Sequence, residues 1–250
     1  MARHLAVVTG GASGVGAATA EALIAEGVSV IGVDLDWRDI ASHDELIQIT
    51  GDVGDDRTWA RVVEAARTHP NGPLSRLVIN AAYLPVGNIL NLEMSEIKRA
   101  MDINVFGAVH ALRACLPIMT EAGGGSIVAV ASTNALFAEQ DLAAYCTSKG
   151  ALLQLMRCVA VDHARDGIRA NIVCPGAIDT PFFRRHVDAA PDPGGFLAEK
   201  VERHPSGRIQ QPDDVASAVT YLLSDAARGS NGSHLLVDGG LTATFDFHPK

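Results

Sequence analysis

The chain has 250 residues, 48% of them hydrophobic and 20% charged, with a formal net charge of −9. That length suits one α/β unit and can bury a large core without disulfides or a structural metal. The acidic balance argues against a nucleic-acid binder, which would carry a basic surface, and no polybasic membrane patch is present.

The opening MARHLAVVTGG has an apolar run of only Leu5 to Val8 before glycines follow, so no secretory signal is expected. Leu5–Thr9 reads as a first strand and 14–26 as an alanine-rich helix closed by Gly27. Ser29–Val33 is a second strand ending at Asp34, and Leu46–Thr50 a short third. Residues 55–68 read as a helix with Ala60, Val63 and Ala65 or Ala66 along one face. The run 77–79 is continuously apolar, the mark of a strand buried on both faces. A long helix is expected over 95–122 with a kink at Pro117, a strand over 126–130, a helix over 143–164 and a strand over 169–174. Pro212-Asp213-Asp214 introduces a helix to Leu223, and 234–237 is the last strand. No uninterrupted apolar run approaches ~18 residues, so no membrane-spanning helix is expected.

Strands alternating with helices imply a Rossmann-like, doubly wound, parallel seven-stranded sheet in a single α/β domain. The stretch 177–209, with Pro181, Pro191, Pro193 and Pro205, lacks regular periodicity and reads as a substrate lid or as a loose loop. Cys115, Cys146, Cys158 and Cys174 form no CxxC pair and fit no zinc spacing with the histidines. Four reduced thiols, no metal site and a cytoplasmic location are expected.

Thr9-Gly10-Gly11-Ala12-Ser13-Gly14-Val15-Gly16 lies where the first strand becomes the first helix. Gly10 permits a tight turn, Gly14 lets backbone approach a pyrophosphate, and Gly16 allows close helix–strand packing. The free N–H groups of the helix start, near Ser13 and Val15, then meet the phosphates. Asp34 stands 18 residues after Gly16, where a carboxylate accepts from ribose hydroxyls and repels a 2′-phosphate. No basic residue sits in the glycine turn, and Arg38 is the nearest one after Asp34, so NAD is expected over NADP.

Tyr145 and Lys149 are one helical turn apart and share a face. A free phenol, with a pKa near ~10, is a poor base at neutral pH. An ammonium about 4 Å away favours the phenolate by roughly 4 kcal/mol at an effective dielectric of ~20, before the cost of burying it is subtracted. Ser132, 13 residues before Tyr145, follows a strand, where a hydroxyl can hold a substrate oxygen or simply cap a turn.

The signature TGGASGVG, Asp34, the run INAAY, Asn104, Ser132, the pentad YCTSK and the run PGAIDT together resemble the short-chain dehydrogenase/reductase family, in family order and over nearly the whole chain. The resemblance implies Tyr145 as general acid/base and Lys149 as the residue that lowers its pKa and binds the nicotinamide ribose. It implies Ser132 as the group that orients the substrate oxygen, and Asn104 as holder of a water in a relay to Lys149. Asp52 and Val53 would flank the adenine, Asn80 and Ala81 would lie along the cofactor, and Pro175, Gly176, Ile178 and Thr180 would follow the nicotinamide. Asp238-Gly239-Gly240 would be structural, and the neighbourhood of Val237 would pack against another subunit, so a homotetramer or homodimer is implied.

One position departs from the family pattern. Where NNAG is usual, the chain reads Asn80-Ala81-Ala82-Tyr83. Tyr83 either walls the substrate cleft or folds over the surface. Asn134, Leu136, Phe137, Phe182 and Phe183 complete an expected cleft that is largely apolar, which suits a hydrophobic or cyclic secondary alcohol or its ketone. Arg184-Arg185-His186 would hold a carboxylate or form a solvated basic turn. Two rival readings are a non-catalytic dinucleotide sensor and a dehydratase or epimerase on the same scaffold. A sensor would be free to lose Asn104, Ser132, Tyr145 or Lys149, and all four are present.

Overall fold

The computed structural model describes residues 4–37, 43–70 and 72–244. Seven strands, β1 (Leu5–Thr9), β2 (Ser29–Asp34), β3 (Leu46–Thr50), β4 (Leu74–Ile79), β5 (Gly125–Val130), β6 (Ile168–Pro175) and β7 (His234–Val237), form one sheet in the order β3-β2-β1-β4-β5-β6-β7. Every pairing is parallel. Because side chains alternate along a strand, Leu5 and Val7 enter one core layer while Ala6 and Val8 enter the other. Helices α1 (Gly14–Ala25) and α8 (Pro212–Leu223) close the second layer. Helices α2 (Asp56–Thr68), α4 (Gly107–Glu121) and α5 (Ala143–Asp162) close the first. This is the doubly wound sheet expected from the alternation. The edge strand β7 differs from the others, with Leu235 and Leu236 38% and 39% exposed.

Three local expectations are corrected. In α2 the buried stripe is Thr58, Trp59, Val62 and Ala66, while Ala60 is exposed. The large indole sets the rotation of the helix, and its Nε1 donates to Val53 O at 2.8 Å. The long helix begins as α3 (Met94–Met101), loosens into a π turn at Asp102–Phe106, and resumes as α4, which runs through Pro117. The departure from α geometry is therefore at the π turn, the place where Asn104 sits. By length and composition alone the stretch Met94–Glu121 could cross a membrane. Here it packs on α2, β4 and α5.

The third correction concerns 177–209, which contains two helices, α6 (Pro181–Asp188) and α7 (Pro193–Glu202). Their prolines start helices rather than break them. Thr180 caps α6 by accepting from Phe183 N at 3.2 Å, and Asp192 caps α7 by accepting from Gly195 N at 3.0 Å. A capping side chain followed by proline at the first helical position is a helix start. The two ends of the excursion are tied together, since Gln210 N donates to Ala177 O and Asp179 N to Gln210 O, both at 2.8 Å.

Helix α8 backs α1, the helix that carries the glycine turn. Its C-terminus is held by Arg169 of β6, whose guanidinium donates to Leu222 O, Ser224 O and Ala227 O, each at 3.0 Å. A cation there also meets the negative end of the helix. Arg169→Met keeps the stem but strands these carbonyls, and it should lower the unfolding free energy by about 2–3 kcal/mol in denaturant titration.

Candidate active site

The strand order reverses between β1 and β4, so the chain parts there and leaves a crevice at the carboxyl ends of the strands. A cleft of about 900 Å³ opens at this point and is lined from Gly10 and Asp34 at one end to Arg185 and Lys200 at the other. Its floor is stitched by hydrogen bonds. The Thr9 hydroxyl accepts from Asn80 N at 2.9 Å and Ala81 N at 3.1 Å, and Asn80 Nδ2 donates to Thr9 O and Gly10 O, both at 3.1 Å. Asn80 therefore braces the glycine turn from below.

Gly10 and Gly14 adopt φ of +66° and +54°, which only glycine takes without strain. A Cβ on Gly16 would lie 1.9 Å from Gly10 O, so Gly16 serves packing; it does not line the cleft, whereas Gly10, Ser13, Gly14 and Val15 do. The turn leaves room that any side chain at these glycines would fill, and it ends at a helix N-terminus. These features fit a pyrophosphate. Trp37, which sequence reasoning passed over, covers the turn from behind; its Cη2 would lie 2.4 Å from a Cβ on Gly32.

At the nucleotide end, Asp34, Asp52 and Val53 line the cleft. One Asp34 oxygen accepts from Ala12 N at 2.9 Å and the other from Leu35 N at 2.7 Å, which fixes the carboxylate at the end of β2. Each oxygen keeps a further lone pair. Asp52 is held by Gly54 N at 2.8 Å. Arg38, the basic residue nearest to Asp34 in the chain, falls outside the described residues. Pro175, Gly176, Ile178 and Thr180 line the middle of the cleft. A Cβ on Gly176 would crowd His204 Nε2 at 3.0 Å and the Asp238 backbone at 3.2 Å, so the glycine gives close packing there.

Tyr145, Lys149 and Ser132 come together at the centre, and all three are buried and line the cleft. The Ser132 hydroxyl hydrogen-bonds the Tyr145 phenol and accepts from Asn134 N at 3.1 Å. Lys149 Nζ donates to Val130 O at 3.0 Å and lies 5.6 Å from the centroid of the Tyr145 ring. Burial dominates both groups. It pushes the phenol above its ordinary range, with the Ser132 hydrogen bond pulling it back, and it pushes the ammonium down to about 8. The expected lowering of the phenol by an ammonium at 4 Å is thus replaced by mutual desolvation.

The Asn104 side chain is occupied by protein groups. Its Nδ2 donates to Tyr83 O and Ser148 Oγ, both at 2.8 Å, and its Oδ1 accepts from Tyr83 N at 2.7 Å. Both amide hydrogens are used, and the side chain clamps the backbone of the residue that departs from the family pattern. Tyr83 needs no left-handed backbone, so a bulky residue there costs no strain. Its phenol donates to Glu96 and its ring stacks with Arg99, 4.3 Å from the centroid, while still lining the cleft. Both earlier readings of Tyr83 hold in part.

The substrate end gathers Asn134, Phe137, Phe182 and Phe183 as expected, with the Phe182 ring 6.5 Å from that of Tyr145. Leu136 does not line the cleft. Of the run Arg184-Arg185-His186, the last two line this end, and residues the sequence did not point to complete it: Glu139, Lys200, Arg203 and His204. Lys200 of α7 donates to Glu139, which also accepts from Asn134 Nδ2 at 3.0 Å. Burial works against the Glu139 carboxylate, but Lys200, Asn134 and Arg203 together hold its carboxyl below the usual range.

A family model described as enoyl-(acyl carrier protein) reductase matches residues 10–242. A 2-(S)-hydroxypropyl-CoM dehydrogenase of Xanthobacter autotrophicus is 35% identical over 94% of this chain and 95% of its own. A cis-4-hydroxycyclohexanecarboxylate dehydrogenase of Sinomonas cyclohexanicum is 36% identical over 97% and 98%. Among solved structures, the aldohexose dehydrogenase of Thermoplasma acidophilum superposes with a TM-score of 0.90 at 33% identity, covering 99% of this chain and 98% of that one. The chain belongs to the short-chain dehydrogenase/reductase family. It is an oxidoreductase of the dehydrogenase type.

The buried ammonium makes stability depend on pH. In the folded chain Lys149 loses its proton near 8, against 10.5 for the free side chain. Between these values the unfolded chain binds more protons, so stability rises with pH. Wild-type protein should gain on a Lys149→Met variant by a few kcal/mol between pH 8 and about 10, and be the less stable of the two at pH 7. Above that window Tyr145, held protonated by burial, works in the opposite direction. Denaturant unfolding across the pH series checks the sign.

Proposed function

We propose that this protein is an NAD-dependent dehydrogenase that interconverts a secondary alcohol and its ketone, with Tyr145 as general acid/base. The observation that carries this reading is the convergence of Tyr145, Ser132 and Lys149 on one cleft whose other end is a glycine turn beside Asp34. Gly10, Ser13, Gly14 and Val15 would hold the pyrophosphate. Asp34 would take the adenosine ribose hydroxyls, and its fixed negative charge favours NAD over NADP. Asp52, Val53 and Ala81 would line the adenosine side, and Ile178 and Thr180 the nicotinamide. NAD, when bound, supplies the hydride acceptor.

The chain's own residues handle the proton and the geometry. In oxidation Tyr145 would act as the phenolate, its own proton having passed by way of Lys149 to solvent, and Oη would take the proton of the substrate hydroxyl; in reduction the phenol would donate that proton back. Ser132 Oγ holds the same oxygen and donates to it as charge develops. Lys149, charged or neutral near pH 8, sits one turn below the phenol to exchange a proton with it. Asn104 positions this centre by clamping Tyr83 to Ser148, whose hydroxyl donates to Tyr145 O at 2.8 Å. The segment 177–209 acts as a lid. The dehydrogenase names of the full-length relatives favour oxidation of a hydroxyl carbon over the C=C reduction in the family model's description. We also propose a homotetramer, supported by the exposed Leu235 and Leu236 of the edge strand, and a cytoplasmic location, supported by four free cysteines.

Tyr145→Phe should reduce turnover by at least ~10³-fold while leaving NADH binding, followed by its fluorescence, within about twofold of wild type. Undiminished turnover in that variant would refute the base. Asp34→Ala should narrow the ratio of NADH to NADPH affinity by about tenfold, read by direct titration; a wild-type preference for NADPH would sink the cofactor assignment.

A further inference from the structure

The substrate end of the cleft carries a charge pattern that an uncharged alcohol does not need. In a chain of net charge −9, three cations, Arg185, Lys200 and Arg203, line this end together with a single carboxylate, Glu139. That carboxylate is fully engaged, with one oxygen on Lys200 and the other on Asn134. Lys200 is thereby neutralised and serves to hold α7 against the loop that follows Ser132. Arg185 is left over, and Arg203 shares the Glu139 charge with Lys200 at longer range.

Neighbouring arginines have opposite fates. Arg184 is taken by Asp179 in a two-point contact, with Nη2 2.7 Å from Oδ2, and does not line the cleft. Arg185 lines the cleft and makes no ion pair among the described residues. Arg203 adds its charge to the field that lowers the Glu139 carboxyl, and its one ion pair among the described residues is with Glu199, 3.9 Å away and one turn back, with both side chains more than half exposed. A pair of that kind is worth little in water and yields to a better partner. His186 adds no competing cation, because burial and then the Lys200 charge lower its pKa. Arg99 is stacked on Tyr83 at the opposite wall.

Position gives the pattern a direction. Phe182, whose ring lies 6.5 Å from that of Tyr145, precedes Arg185 by three residues on α6. Residues three apart share a helix face. The Arg185 backbone therefore lies about 4.5 Å further along the α6 axis than that of Phe182, from where its side chain also lines the cleft. Between them the wall is apolar, with Phe137, Phe182 and Phe183.

We propose that the substrate is a hydroxy acid: an apolar frame carrying the secondary alcohol at Tyr145 and an oxyanion, a carboxylate or a group of like geometry, held by Arg185 and Arg203. This deepens the dehydrogenase reading above and rests on it for the position of the alcohol. Guanidinium groups accept planar oxyanions in two-point contacts, and they come here from two lid helices. Anion binding would bridge α6 and α7, while the Glu139–Lys200 pair holds α7 to the catalytic loop. The anion also fixes which carbon reaches Tyr145.

The test uses the full-length protein and reads binding rather than turnover. Cyclohexanecarboxylate and hexanoate are each titrated against their uncharged amides by calorimetry, with and without NADH. The acids should bind at least tenfold more tightly than the amides, and Arg185→Gln and Arg203→Gln should each reduce that ratio to within about threefold. Equal binding of acid and amide to the wild type, or a ratio that survives both substitutions, overturns the subsite. Failure of the dehydrogenase reading has a separate signature: acid preference persists, but NADH does not bind or no alcohol is turned over. A second measurement guards against misfolding, since both variants must keep the wild-type unfolding midpoint within about 3 °C.

Discussion

The crossing of hydrogen bonds between the ends of β1 and β4 is the constraint on which the site depends. The two strands run side by side and then diverge, because the chain leaves β1 for one face of the sheet and β4 for the other. Beyond the last ladder bond, Thr9 and Asn80 take over, each bonding to the other strand's continuation. Without them the glycine turn would have no floor. With them, backbone with positive φ at Gly10 and Gly14 is held open at the start of α1, and α8, anchored by Arg169, holds that helix in place.

From this floor the cleft extends as one space with two electrostatic characters. Carboxylates, Asp34 and Asp52, mark the nucleotide end, and arginines mark the lid end. Ser132, Tyr145 and Lys149, the residues proposed to carry the chemistry, lie between and are buried. There the environment suppresses charge on both the phenol and the ammonium. The π turn at Asp102–Phe106 belongs to the same design, since it carries the amide that ties Tyr83 to Ser148 and so to the helix of Tyr145.

Much of this was legible in the chain because it rests on local rules. Continuous apolar runs gave parallel strands, glycine spacing gave the phosphate turn, and the four-residue interval gave Tyr145 and Lys149 a common face. Other features were misread for equally physical reasons. Ala60 was placed on the buried face of α2 because periodicity alone does not say which of two stripes meets the sheet, and Trp59 decides it by size and by its bond to Val53. The stretch 177–209 reads as irregular because its prolines interrupt the periodicity, although Thr180 and Asp192 are the caps that make Pro181 and Pro193 helix starts. The bonds that Asn104 makes to the Tyr83 backbone and to Ser148 join residues 21 and 44 positions away, which no local pattern in the chain reveals.

By itself the sequence determined the sheet, the glycine turn and the shared helix face of Tyr145 and Lys149, because each depends on residues close together in the chain or on backbone freedom at single positions. Only the tertiary structure decided the charge of the substrate end. Glu139 and Lys200 are 61 residues apart, and Arg184 and Arg185 are adjacent, yet contact pairs the first two and separates the fates of the second. Electrostatic partnership falls with distance in space and has no memory of distance along the chain.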